Sequence, residues 1–144
     1  MDVPCRSLLD PARRIPFAGR LTLPETPGLY AWWDTDQTKQ TESKPDEARR
    51  PLYLGTAKNL AAAIEADATG IRASAFRKSL AALLAGPLNL RQRTNGYPPP
   101  PNRFEKTRLT QWMSAHLLIS WSELPHPDAY HRALVSATDP HIKP

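Results

Sequence analysis

Sixteen prolines in 144 residues limit how long any regular element of this chain can be. Proline fixes its own φ, lacks a backbone N–H and disfavours helix in the residue before it, so it ends or edges an element. The densest cluster is Pro98–Pro101, a PPPP run after Asn95-Gly96-Tyr97. Such a run favours extended polyproline II and blocks both helix and central strand, so it is read as a stiff loop. A second interruption, Asp34–Arg50, is rich in Thr, Gln, Glu, Lys and Asp and nearly devoid of apolar residues, so it is expected to be exposed and mobile. The length suits one compact domain. A single domain over residues 1–144 is expected, with a core from about 20 to 140 and mobile loops at 34–50 and 94–106. No internal repeat is present.

Short elements fit between these breaks. Leu29-Tyr30-Ala31-Trp32-Trp33 and Pro51-Leu52-Tyr53-Leu54-Gly55 read as strands. The polar stretch between them allows an antiparallel ribbon. Residues 57–68 are alanine-rich, with Leu60 and Ile64 four apart, and read as a helix ended by Gly70. Residues 71–84 read as a second helix, with Phe76, Leu80, Leu83 and Leu84 on its inner face and Arg72, Arg77 and Lys78 mainly off it. A short strand at 88–93, a helix at 107–116 with Leu109, Trp112 and Met113 inward, a strand at 117–121 and a helix at 128–138 complete the order. This predicts an α+β fold: a small mixed or antiparallel β-sheet flanked by helices.

Composition removes several classes of function. No apolar run approaches the roughly 20 residues of a membrane span, and the N-terminal MDVPCRSLLDPARRIPF has no apolar stretch long enough for a signal peptide. A cytoplasmic location without membrane contact is therefore expected. The single cysteine, Cys5, cannot form an internal disulfide or a cysteine metal site, and no histidine lies beside it to activate it as a nucleophile. His126, His131 and His141 are spaced by five and ten residues and do not share a helix face. No Gly-x-Ser-x-Gly is present.

The charge balance points elsewhere. The net charge is +5, and 13 of the 19 basic residues are arginine, whose planar fork suits phosphate. Between Arg72 and Arg108 there are eight basic residues and one acid, a balance of +7. Such a stripe is either a nucleic-acid footprint or a solvated face. On the first reading Lys58, Arg72, Arg77, Lys78, Arg91 and Arg93 are candidate phosphate contacts. The four tryptophans are expected in or near the core rather than as a stacking platform for bases.

The segment Pro27-Gly28-Leu29-Tyr30-Ala31-Trp32-Trp33, followed by Leu52-Tyr53-Leu54-Gly55-Thr56-Ala57-Lys58-Asn59-Leu60, resembles the paired signature of the GIY-YIG nuclease superfamily. Arg77-x-x-Leu80-x-x-Leu83-Leu84, Arg108-Leu109-Thr110-x-Trp112-Met113 and Ile119-Ser120-Trp121 resemble a bacterial branch of it. The resemblance covers roughly residues 20–140. It implies metal-dependent phosphodiester hydrolysis, with Tyr30 and Tyr53 side by side as the catalytic tyrosines. It also implies an arginine on the first helix that stabilises charge on phosphate, and a glutamate on a later helix that holds one divalent ion. Phosphoryl chemistry of this kind is mostly positioning and charge stabilisation.

Two of those groups are missing. Members space the arginine as Asn-Leu-x-x-Arg; here Asn59-Leu60-Ala61-Ala62-Ala63 places Ala63 there. Glu65 and Asp67 put negative charge where members often carry Arg and His. The glutamate belongs just before an apolar pair, here Leu134-Val135, but Tyr130-His131-Arg132-Ala133 contains none. Asp128 or His131 could take its place, although Arg132 is an unfavourable neighbour for a cation. The usual following asparagine is also missing, with Lys143 its nearest counterpart.

Three readings follow. The first is a catalytically degenerate domain that acts as a nucleic-acid-binding or regulatory module, with DNA preferred over RNA, no metal ligands and no cofactor. The second is an active Mg- or Mn-dependent endonuclease using Tyr30, Tyr53, Arg72 or Arg77, and a carboxylate such as Glu65, Asp67 or Asp128. The third is a fold repurposed for a protein partner or for small-molecule chemistry.

Overall fold

The computed structural model describes residues 7–10, 13–16, 22–34, 50–70, 74–84, 103–140 and 142. Arg72, Arg91, Arg93, Cys5, the expected strand at 88–93, the PPPP run and most of both expected loops lie outside them.

Four strands form one sheet: β1 (Ile15–Pro16), β2 (Gly28–Asp34), β3 (Tyr53–Ala57) and β4 (Leu117–Glu123). Their order is β1-β4-β2-β3, and every pair is antiparallel. The α+β expectation holds, with the sheet antiparallel rather than mixed among the described strands. β1 has no counterpart in the sequence reading, because two residues are too few to show an alternation. Pro16 fits an outer strand, where its missing N–H breaks no ladder.

Besides a short helical stretch at 7–9, four helices complete the described order: α1 (Leu60–Thr69), α2 (Ala75–Leu83), α3 (Arg103–His116) and α4 (Asp128–Thr138). Their starts correct several expected boundaries. Asn59 is extended and its side chain accepts from the Ala62 N–H, so α1 begins at Leu60 and Ala57 stays in β3. Ser74 does the same for the Arg77 N–H, so α2 begins at Ala75 rather than at residue 71. α3 begins at Arg103, four residues before the expected start and inside the expected loop. Glu105 in its first turn matches the positive end of the helix dipole. Gly70 ends α1 as expected, in the left-handed conformation at φ 71°.

Strand alternation divides the core between the two sheet faces. Tyr30, Trp32, Ala57, Leu117 and Ile119 pack with Leu60, Ile64, Phe76, Leu80, Leu109 and Met113 of α1, α2 and α3. Leu29, Ala31, Trp33 and Leu54 face the other way, against Leu8, Leu124 and Leu134 of α4. β2 is thus buried on both faces, which explains its almost continuous apolar sequence. Trp32 and Trp33 are fully buried on opposite faces, and Trp112 and Trp121 pack partly buried against the first cluster. On the second face the Trp33 indole N–H donates to Ser120 Oγ at 2.8 Å, and that hydroxyl donates to the Leu8 carbonyl at 2.8 Å.

Candidate functional site

The register places the two signature tyrosines together. Tyr30 lies opposite Gly55, and Trp32 opposite Tyr53, so the tyrosines are diagonal neighbours on one face. Their ring centroids are 6.3 Å apart with a 49° tilt. Gly55 makes room for this arrangement: a Cβ there would stand 2.4 Å from Tyr30 Cζ. Tyr53 leans on Phe76 at 5.1 Å, and Phe76 stacks on Trp32 at 5.5 Å. α2 therefore closes over the pair through one aromatic side chain. Tyr30 is buried and Tyr53 half-buried.

The charge beside these rings is negative. Asp67 of α1 is 5% exposed. One carboxylate oxygen accepts from the Trp32 indole N–H at 3.1 Å and the other from the Ser74 hydroxyl at 2.6 Å. The Tyr30 ring lies close enough to this carboxylate for the two groups to influence each other's ionisation. Burial raises the Asp67 carboxyl above its usual range even though these donors and Arg77 oppose the shift. Burial pushes Tyr30 well above an ordinary phenol, and Asp67 and then Tyr53 push it further. Burial and then Asp67 raise Tyr53 as well. Both phenols are held neutral, the reverse of what a proton-accepting tyrosine needs.

No cation on α1 counters this. Ala63, at the position where the resemblance implies arginine, is a half-buried methyl packed against the core. Arg77 does not substitute for it, and the expectation that it lies off the inner face of α2 as a phosphate contact is corrected. It is 7% exposed. One guanidinium nitrogen donates to the Asp67 and Ala68 carbonyls at 3.2 and 3.1 Å and contacts Met113 Sδ at 3.5 Å. The other donates to the Lys106 carbonyl and the Thr110 hydroxyl, both at 3.2 Å. Arg77 thus places positive charge at the C-terminal end of α1 and binds that end to α3. Gly70 leaves the space for it, since a Cβ there would lie 2.6 Å from Arg77 Nε. Lys58, just after β3, and Lys78, on α2, are exposed, so they can reach an anion.

The donor set does not suit a divalent ion. His131 Nε2 sits 3.1 Å from the Leu54 carbonyl. A carbonyl only accepts, so this nitrogen carries a proton and is no ligand. Asp128 is exposed in the first turn of α4, whose Leu134 packs on the sheet face opposite the tyrosines. Asp67 is buried and already accepts from Trp32 and Ser74. No group of three or more His, Cys, Asp or Glu able to hold a metal occurs among the described residues.

The sequence offers Asp67 as misplaced negative charge or as a candidate catalytic carboxylate, and neither expectation anticipates its place at the centre of this network. Helical spacing carried the signal: Leu60, Ile64 and Asp67 follow i, i+4, i+7, the face that turns inward. Arg77 has the same relation to Leu80 and Leu84, at i+3 and i+7. Leu83, expected inside, is 61% exposed. The inner face of α2 is therefore rotated towards Arg77.

The sequence profile of the GIY-YIG catalytic domain matches residues 28–142, from the first residue of β2 to the segment beyond α4. No curated protein and no solved structure matches the chain.

Proposed function

Because the chain belongs to the GIY-YIG catalytic-domain family, we propose that it is a catalytically degenerate member, a nuclease-like fold acting as a nucleic-acid-binding or regulatory module. The observation that carries this reading is the buried Asp67 carboxylate beside the tyrosine pair, with Ala63 where the chemistry calls for a cation. A phenol ordinarily ionises near 10, and each neighbour of Tyr30 shifts it away from use as a base. The missing arginine removes a further contribution: losing one charge-stabilising donor typically costs about 2.7–4 kcal/mol at the transition state. Asp67 and Arg77 do not act as relocated catalytic groups, because both are buried and engaged with the protein itself.

The nucleic-acid part rests on the +5 net charge, the basic segment from Arg72 to Arg108, and the exposure of Lys58 and Lys78. Arg72, Arg91 and Arg93 are proposed as further contacts, with DNA preferred over RNA. No helix among the described residues is long and apolar enough to cross a membrane, and a cytoplasmic site of action is proposed.

Plasmid incubated with the protein and Mg²⁺ or Mn²⁺ is expected to stay supercoiled, with Tyr53→Phe indistinguishable from wild type. Nicking by the wild type that Tyr53→Phe abolishes would establish an active nuclease instead. A gel shift at low salt is expected to show DNA binding that fades steeply as salt rises. No shift at low salt would remove the nucleic-acid part and favour a protein or small-molecule ligand.

A further inference from the structure

The first turns of α3 carry a feature that the tyrosine site does not use. Arg103, Phe104, Thr107 and Arg108 line one open concavity. Their spacing of i, i+1, i+4 and i+5 places them along one side of the helix. Phe104 is 74% exposed. A solitary exposed apolar residue says little, but this one lies between two arginines in a concave surface. Lys106 in the same turns is also exposed, and Glu105, the single acid of α3, is 6% exposed and turned inward. The surface therefore offers the exposed cations Arg103 and Lys106 beside an aromatic face, with Glu105 buried.

That combination selects among anionic partners. An acidic peptide would satisfy the arginines and leave the phenyl ring without a specific counterpart. A duplex would meet the phosphate contacts but keep its bases stacked on one another. A single strand satisfies both, because its phosphates pair with guanidinium groups while an unstacked base lies on the ring. We propose that Arg103 and Phe104 form a binding site for single-stranded nucleic acid, with Arg103 as a phosphate contact and Phe104 as the stacking surface for one base. The proposal rests on the nucleic-acid-binding reading above and deepens it by naming the strand form and the contact residues.

Fluorescence anisotropy of the full chain with a labelled oligo-dT and with a labelled duplex of equal length tests this. Oligo-dT is expected to bind more tightly than the duplex at equal salt. Phe104→Ala is expected to weaken oligo-dT binding by roughly tenfold, as loss of one base stack should, without altering the salt dependence. Phe104→Tyr, which keeps an aromatic face, is expected to restore it. Arg103→Gln is expected to lower the salt slope by about 0.7, the share of one phosphate on a single strand. Phe104 is exposed, so its replacement leaves the fold intact, and unchanged thermal melting checks this. If the wild type binds oligo-dT or duplex and Phe104→Ala binds equally well, this site is wrong while the broader reading stands. If neither probe binds, the broader reading falls as well. Competition by poly-glutamate as effective as by unlabelled oligo-dT would reduce the surface to a general anion site and overturn the proposal.

Discussion

Asp67 shows how one side chain can decide between chemistry and structure. It occupies the inner face of α1 and collects donors from Trp32 and Ser74. Because burial raises its carboxyl, the folded protein keeps that proton to higher pH than the unfolded chain does. Stability linked to the group is fully present below the unfolded value of about 3.9, and it is lost as pH rises through the raised folded value. Asp67→Asn removes this titration while the Ser74 hydroxyl can turn to accept the new amide. Urea unfolding at a series of pH values is expected to show wild type losing stability relative to Asp67→Asn from about pH 4 upward. A difference that does not vary with pH would contradict the assignment. The position of this residue was legible in the spacing of Leu60, Ile64 and Asp67. Its role was not, because its donors, the Trp32 indole and the Ser74 hydroxyl, arrive from β2 and from the turn before α2, and no local pattern encodes such a meeting.

At the scale of elements, the helix starts are set by two side chains that the sequence displays openly. Asn59 caps α1 from an exposed position, and Ser74 caps α2 while also donating to Asp67. Asn59→Ala is expected to cost about 1 kcal/mol, the ordinary value of a cap. Ser74→Ala is expected to cost about 2–3 kcal/mol, because it also takes a hydrogen bond from a buried carboxylate. Urea denaturation of the two variants measures the difference, and equal losses would show that the bond to Asp67 contributes nothing. The tyrosine-bearing strands were readable because their aromatic runs are short and bounded by Pro27-Gly28 and Gly55. The rotation of α2 was hidden for a physical reason: an arginine on a helix normally marks the solvent side, and here helix-end carbonyls satisfy it instead.

For the whole molecule, neighbouring basic residues carry different loads. Lys78 is exposed, and Arg77 beside it joins three helices. Lys78→Ala is expected to change stability by less than about 0.5 kcal/mol and to lower the salt slope of duplex binding by about 0.9. Arg77→Ala is expected to lose on the order of 3 kcal/mol, while its folded fraction binds DNA as wild type does. Thermal melting together with salt-titrated anisotropy separates the two, and the reverse pattern would place Arg77 at the phosphate surface after all. The total charge legible in the sequence is thus a poor count of contacts, since it does not distinguish a surface lysine from a guanidinium that works inside.

The place of β2 between β3 and β4 also governs how the chain reaches this state. β3 follows β2 after one intervening segment, but the other neighbour arrives much later, with Gly28 opposite Glu123. Pairing across so long a separation slows folding. During synthesis the tryptophan-bearing strand leaves the ribosome with one edge unsatisfied until β4 emerges. Over that interval its open edge is a site at which misassociation can begin.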